Sequence, residues 1–84
     1  MKKFSKIRGV KRYIFMGKRK DSAYLIYYKE KRLTCLNLTT RDESYFTMGY
    51  SCRKALIEDI KEGWHVVTDD KEIDRYLMAQ ELLR

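Results

Sequence analysis

Apolar and polar positions follow two rhythms along this chain. Residues 12–16 (Arg-Tyr-Ile-Phe-Met) and 22–28 (Ser-Ala-Tyr-Leu-Ile-Tyr-Tyr) are rich in aromatic and β-branched side chains, the composition of strands. The polar, turn-competent stretch Gly17-Lys18-Arg19-Lys20-Asp21 separates them, so the pair reads as a hairpin. A third strand, Leu33–Thr39, follows the polar loop Lys29-Glu30-Lys31-Arg32, which has neither Gly nor Asn and gives a weaker turn signal. There is room for a short fourth strand at Tyr45–Met48.

From Ser51 the rhythm becomes helical. Cys52, Ala55, Leu56 and Ile60 share one angular sector while Arg53, Lys54, Glu58, Asp59 and Lys61 occupy the others, with Ser51 as N-cap. Gly63 is placed to end this helix in the left-handed conformation, folding Trp64 back on the helix or the sheet. Asp69, with Glu72 three residues on, opens a second helix through Ile73, Tyr76 and Leu77. Trp64–Val67 between them reads as a strand or a connector. The expectation is an α+β fold: a small three-stranded antiparallel sheet, extendable to four strands, followed by two C-terminal helices.

At 84 residues, with no repeat, low-complexity tract or Pro/Ser-rich linker, the chain is one domain over 1–84, with a basic segment over 1–11 that is free to be flexible. A domain this small has a thin core and little room for a deep substrate pocket. Hydrophobic residues at 44% are too many for a disordered chain even with 37% charged residues. Cys35 and Cys52 form no C-x-x-C pair or disulfide framework. No apolar h-region follows Met1-Lys2-Lys3, so a cytoplasmic location is expected. Phe4, Ile7, Val10 and Ile14 could share a helical stripe suited to a membrane surface, but Gly9 inside it costs about 1 kcal/mol against alanine. No membrane partner is expected.

Charge is distributed unevenly. Residues 1–20 carry nine basic residues and no acid, whereas residues 21–84 carry ten basic and twelve acidic ones. The overall charge of +7 is therefore N-terminal in origin. Such asymmetry points to a polyanionic partner facing one end.

Catalytic and metal-binding constellations do not assemble. Ser51-x-x-Lys54 has the spacing of a serine acyl-enzyme, without the partner motifs that chemistry needs. His65 is the only histidine, and Asp69, Asp70, Glu72 and Asp74 cluster where carboxylates complement a helix start. Among the four glycines no phosphate-cradling pattern appears. No catalytic residue, metal or cofactor is expected, and the chain is not read as an enzyme.

What stands out is the basic block interleaved with aromatics. Tyr13 with Phe15, and Tyr24 with Ile26 and Tyr28, would share strand faces. If both helices cover the Leu25 side, these rings stand on an open face able to stack bases, beside phosphate-binding cations. The expected nucleic-acid contacts are Lys2, Lys3, Lys6, Arg8, Lys11, Arg12, Lys18, Arg19, Lys20, Lys29, Lys31 and Arg32, with the acidic helical half facing away.

Over residues 10–62, the strand order and the step Tyr45-Phe46-Thr47-Met48-Gly49-Tyr50-Ser51 into an alanine-containing helix resemble the N-terminal arm-binding domain of tyrosine-family integrases. That resemblance implies a sheet laid in the DNA major groove. Lys61-Glu62-Gly63-Trp64 followed by Asp69-Asp70-Lys71-Glu72 is similar to small prophage anti-CRISPR proteins, which are strongly acidic where this chain is basic. The expected function is a nucleic-acid-binding module, for DNA or RNA, of a phage or mobile-element regulator. The alternative is a protein inhibitor docking on an acidic surface of a host protein.

Overall fold

The computed structural model describes residues 9–17 and 23–80. Five strands form one antiparallel sheet: β1 (Tyr13–Met16), β2 (Ala23–Lys29), β3 (Arg32–Asn37), β4 (Glu43–Tyr45) and β5 (His65–Val67), in the order β4-β3-β2-β1-β5. Helix α1 (Cys52–Lys61) carries the chain from the β4 edge to the β5 edge, and α2 (Asp70–Ala79) follows β5. The α+β class is as expected, and the sheet is larger than expected. The segment Trp64–Val67 supplies its fifth strand by pairing Phe15 with Val66 and Met16 with His65.

The helices lie on opposite faces of the sheet. Tyr13, Ile26 and Leu33 pack with Cys52, Ala55 and Leu56 of α1 on the first face. Ile14, Ala23, Leu25 and Leu38 pack with Ile73 and Leu77 of α2 on the second. The physical reason is in the strands themselves. Tyr13-Ile14-Phe15-Met16 is apolar without alternation, so β1 exposes hydrophobic surface on both sides and needs a cover on each. The open aromatic face that one-sided covering would leave is therefore absent. Tyr13 is fully buried, and Phe15 lies stacked on Tyr24 at 4.9 Å and edge-on to Trp64 at 5.1 Å.

The helix ends follow the chain's own signals. The Ser51 side chain accepts from the Lys54 N–H, and the Asp69 side chain accepts from the Glu72 N–H. At the end of α1, Gly63 N–H donates to the Ile60 carbonyl and Trp64 N–H to the Asp59 carbonyl, with Gly63 at φ 87°. This pair of bonds is a Schellman cap. Gly9 is also left-handed, at φ 78°, and Ile14 lies in β1, so the stripe Val10 to Ile14 is not a helix face. Among the described residues no helix is long and apolar enough to cross a membrane.

Candidate nucleic-acid interface

The register gives the sheet two distinct ends. The β2–β3 connection is a tight turn at Glu30-Lys31, with Lys29 paired to Arg32. Residues 9–12, the step from β4 into α1, and the start of α2 sit at this turn end. Both helices begin here: Cys52 N–H donates to the Tyr28 hydroxyl at 3.0 Å, and Arg12 reaches Asp70. Met16 and Ala23, which segment 18–22 joins, stand at the opposite end. The seven residues of β2 separate the two ends by roughly 20 Å at about 3.3 Å per residue.

That geometry divides the twelve expected contacts. Lys2, Lys3, Lys6, Arg8, Lys18, Arg19 and Lys20 lie outside the described residues. The described chain begins at Gly9, on the turn end, and the strand ends on either side of the other three, Met16 and Ala23, stand at the opposite end.

Of the five described candidates, two are engaged by carboxylates. Arg12 donates to Asp74 at 2.8 Å and to Asp70 at 3.1 Å, and the bond to Asp74 most strongly raises its pKa, against the opposing effect of burial. The acidic start of α2 therefore lies at the turn end beside Arg12 and does not face away. Lys29 reaches Glu43 at 3.0 Å, and Tyr27 donates to the same carboxylate at 2.6 Å. These two bonds, Tyr27 first, hold Glu43 below its ordinary value, while burial and the Glu43 contact push Tyr27 up to about 12.

Lys11, Lys31 and Arg32 are exposed, and ion-pair partners are absent for them among the described residues. Arg32 Nε donates to the Phe46 carbonyl at 3.1 Å, and its guanidinium carbon stands 5.2 Å from the centre of the Tyr45 ring. Glu30 and Lys31 both have left-handed backbone, at φ 52° and 67°. The turn thus resembles type I′ without the Asn-Gly that such turns favour.

Around this turn the structure adds residues that strand-by-strand reading missed. Arg53 and Lys54 are exposed in the first turn of α1, which has no acid, and Lys54 Nζ lies 5.4 Å from the Tyr50 ring centre. Tyr50 stacks on Phe46 at 5.2 Å and donates to Glu58, a bond that does most to push its hydroxyl up to about 12. Three of the four exposed large hydrophobics of the described residues, Tyr28, Tyr45 and Met48, are at this end. The detectable signal was the aromatic density of residues 45–50, which strand propensity alone accounted for.

Two open clefts flank the end of β2. One of about 500 Å³ is bordered by Lys11, Arg12, Tyr27, Tyr28, Thr68 and Asp70. The other, about 290 Å³, is lined by Lys29, Glu30, Arg32, Tyr45 and Met48. No group of three His, Cys, Asp or Glu side chains among the described residues is arranged to hold a metal ion. Burial raises both thiols, Cys52 to about 11, so they stay protonated near neutral pH. Ser51 is occupied as a helix cap.

No family model matches the chain, and no curated protein or solved structure is detectably similar to it. Neither resemblance read from the sequence gains a relative by these comparisons.

Proposed function

We propose that the chain is a small nucleic-acid-binding module whose footprint is the turn end of the sheet. The observation that carries this reading is the combination of Lys31, Arg32, Arg53 and Lys54 with exposed Tyr28, Tyr45 and Met48 at the end where residues 1–12 join. Those twelve residues hold six cations and no acid. Phosphates are gripped by the five of them other than Arg12 and by the turn cations, while the N-terminal dipole of α1 adds positive potential at the same end. Lys29 and Arg12 contribute little, because their charges are already paired. A role as a phage or mobile-element regulator is consistent with so small and basic a module.

Salt titration of binding tests the reading. If about five phosphates are neutralised, log affinity for duplex DNA falls with log salt at a slope near −4.5. Lys31→Ala with Arg32→Ala should flatten that slope by about two units. Lys18→Ala, Arg19→Ala and Lys20→Ala together should change it less, since the strand ends they connect, Met16 and Ala23, stand away from the turn. An affinity indifferent to salt refutes the proposal.

A second reading has one observation in its favour. Tyr28, Tyr45, Met48 and Arg32 also have the composition of a protein-binding hot spot. The module would then dock on an acidic protein surface, and its complex would survive nuclease.

A further inference from the structure

We propose that the cleft beside the β2–β3 turn takes one unpaired base of a single-stranded nucleic acid, stacked on the ring of Tyr45. This rests on the nucleic-acid reading above and narrows it to strands whose base faces are free. The register sets Tyr27, Thr34 and Tyr45 in one row across β2, β3 and β4 on the second sheet face. Tyr27 and Leu36 pack toward the cluster beneath α2, whereas Tyr45 and Arg32 belong to neither core cluster. Tyr45 is left 53% exposed with the Arg32 guanidinium over one face of its ring, so the base takes the other face.

The shape and charge of the cleft choose a base over a phosphate. A planar ring and a planar guanidinium border it, with Arg32 held by the Phe46 carbonyl, and Met48, 71% exposed, adds an apolar wall. Its volume of about 290 Å³ is close to the lower limit of about 300 Å³ typical for small-ligand clefts. Of its two lining cations, Lys29 is paired with Glu43 and Arg32 lies over the Tyr45 ring, while Glu30 adds a carboxylate, so a phosphate entering finds little net attraction. The strand's phosphates instead run past exposed Lys31 on the adjoining turn. In a duplex both faces of each base are covered by stacking, so only an unpaired base can use the ring.

The test measures fluorescence anisotropy of the full chain with four labelled short probes at low salt: single-stranded RNA, single-stranded DNA, the matched duplex, and an abasic phosphodiester strand. At least one of the two single strands should bind about tenfold or more tighter than the duplex. Tyr45→Ala should weaken its binding about 5- to 150-fold, the range for loss of one stacked base. Tyr45→Phe keeps the ring and should stay within about twofold of the wild type. The abasic strand should bind weakly and be indifferent to Tyr45→Ala. Equal affinity for single strands and duplex, unaffected by Tyr45→Ala, overturns the stacking inference while leaving nucleic-acid binding intact. Failure of every probe to bind overturns the parent reading as well.

Discussion

The β2–β3 turn carries conformational strain that a substitution can remove. Glu30 and Lys31 occupy the left-handed region, at φ 52° and 67°, where a side chain on Cβ crowds the backbone. Each such residue costs on the order of 1–3 kcal/mol. Glu30→Asn with Lys31→Gly supplies the residues that a type I′ turn favours. Asparagine keeps its Cβ and removes only part of that cost, and glycine loses roughly 0.5–1 kcal/mol to unfolded-chain entropy, so the net gain for the pair is about 1–2 kcal/mol. For a domain of this size about 1 kcal/mol shifts Tm by ~4–8 °C. Thermal unfolding followed by circular dichroism should therefore show a rise of at least ~4 °C for the double variant, with Lys31→Ala, which keeps the strain, close to wild type. An unchanged or lower Tm for the double variant refutes the assignment of strain. Because the same change deletes the Lys31 charge, nucleic-acid affinity should fall as stability rises, the trade-off expected of strain kept at a working site.

Other outcomes follow from the packing and the ion pairs. Leu56 is fully buried in the α1 cluster, and Leu56→Ala should cost ~2–5 kcal/mol in urea unfolding. Arg12→Ala should cost no more than about 1 kcal/mol, because its partners are surface carboxylates, and should leave affinity for nucleic acid nearly unchanged. Asp59 accepts a 2.6 Å bond from buried Tyr13, yet burial holds its carboxyl above the ordinary 3.8. The folded state therefore binds that proton more readily, and its contribution to stability is lost as pH rises through this window; Asp59→Asn should remove that slope. Glu43 has the opposite sign. Its value lies below the ordinary 4.5, so its contribution is present above that pH and lost as pH falls, and Glu43→Gln should flatten the acid limb. Unfolding free energies across the acid range separate the two; parallel profiles for both variants would contradict this.

Local signals in the chain were legible and long-range ones were not. Ser51, Gly63 and Asp69 act as the caps their types and spacing imply, because capping is satisfied within a few residues. The unbroken apolar runs of β1 and β2 already held the sign of a sheet covered on both faces, but hairpin logic alone does not read it. The fourth strand is Glu43–Tyr45 and shares only Tyr45 with the expected Tyr45–Met48; Tyr50 N–H donates to the Thr47 carbonyl and turns the chain through Gly49. For the site, the exposed cations Lys11, Lys31 and Arg32 were visible in the sequence. The neutralisation of Arg12 was not, because its partners lie 58 and 62 residues away. Likewise, the notion of one basic patch ignores the length of β2, which sets Ala23 and Lys29 at opposite ends of the sheet.

The central claim is that one end of this sheet carries the nucleic-acid footprint. Amide chemical-shift mapping of the full chain titrated with a short single-stranded oligonucleotide tests it most directly. The account predicts the largest shifts at residues 9–12, Lys29–Arg32 and Tyr45–Lys54, with Asn37–Asp42 and Gly63–His65 nearly still. Shifts concentrated at those latter segments, or none at all, would contradict it.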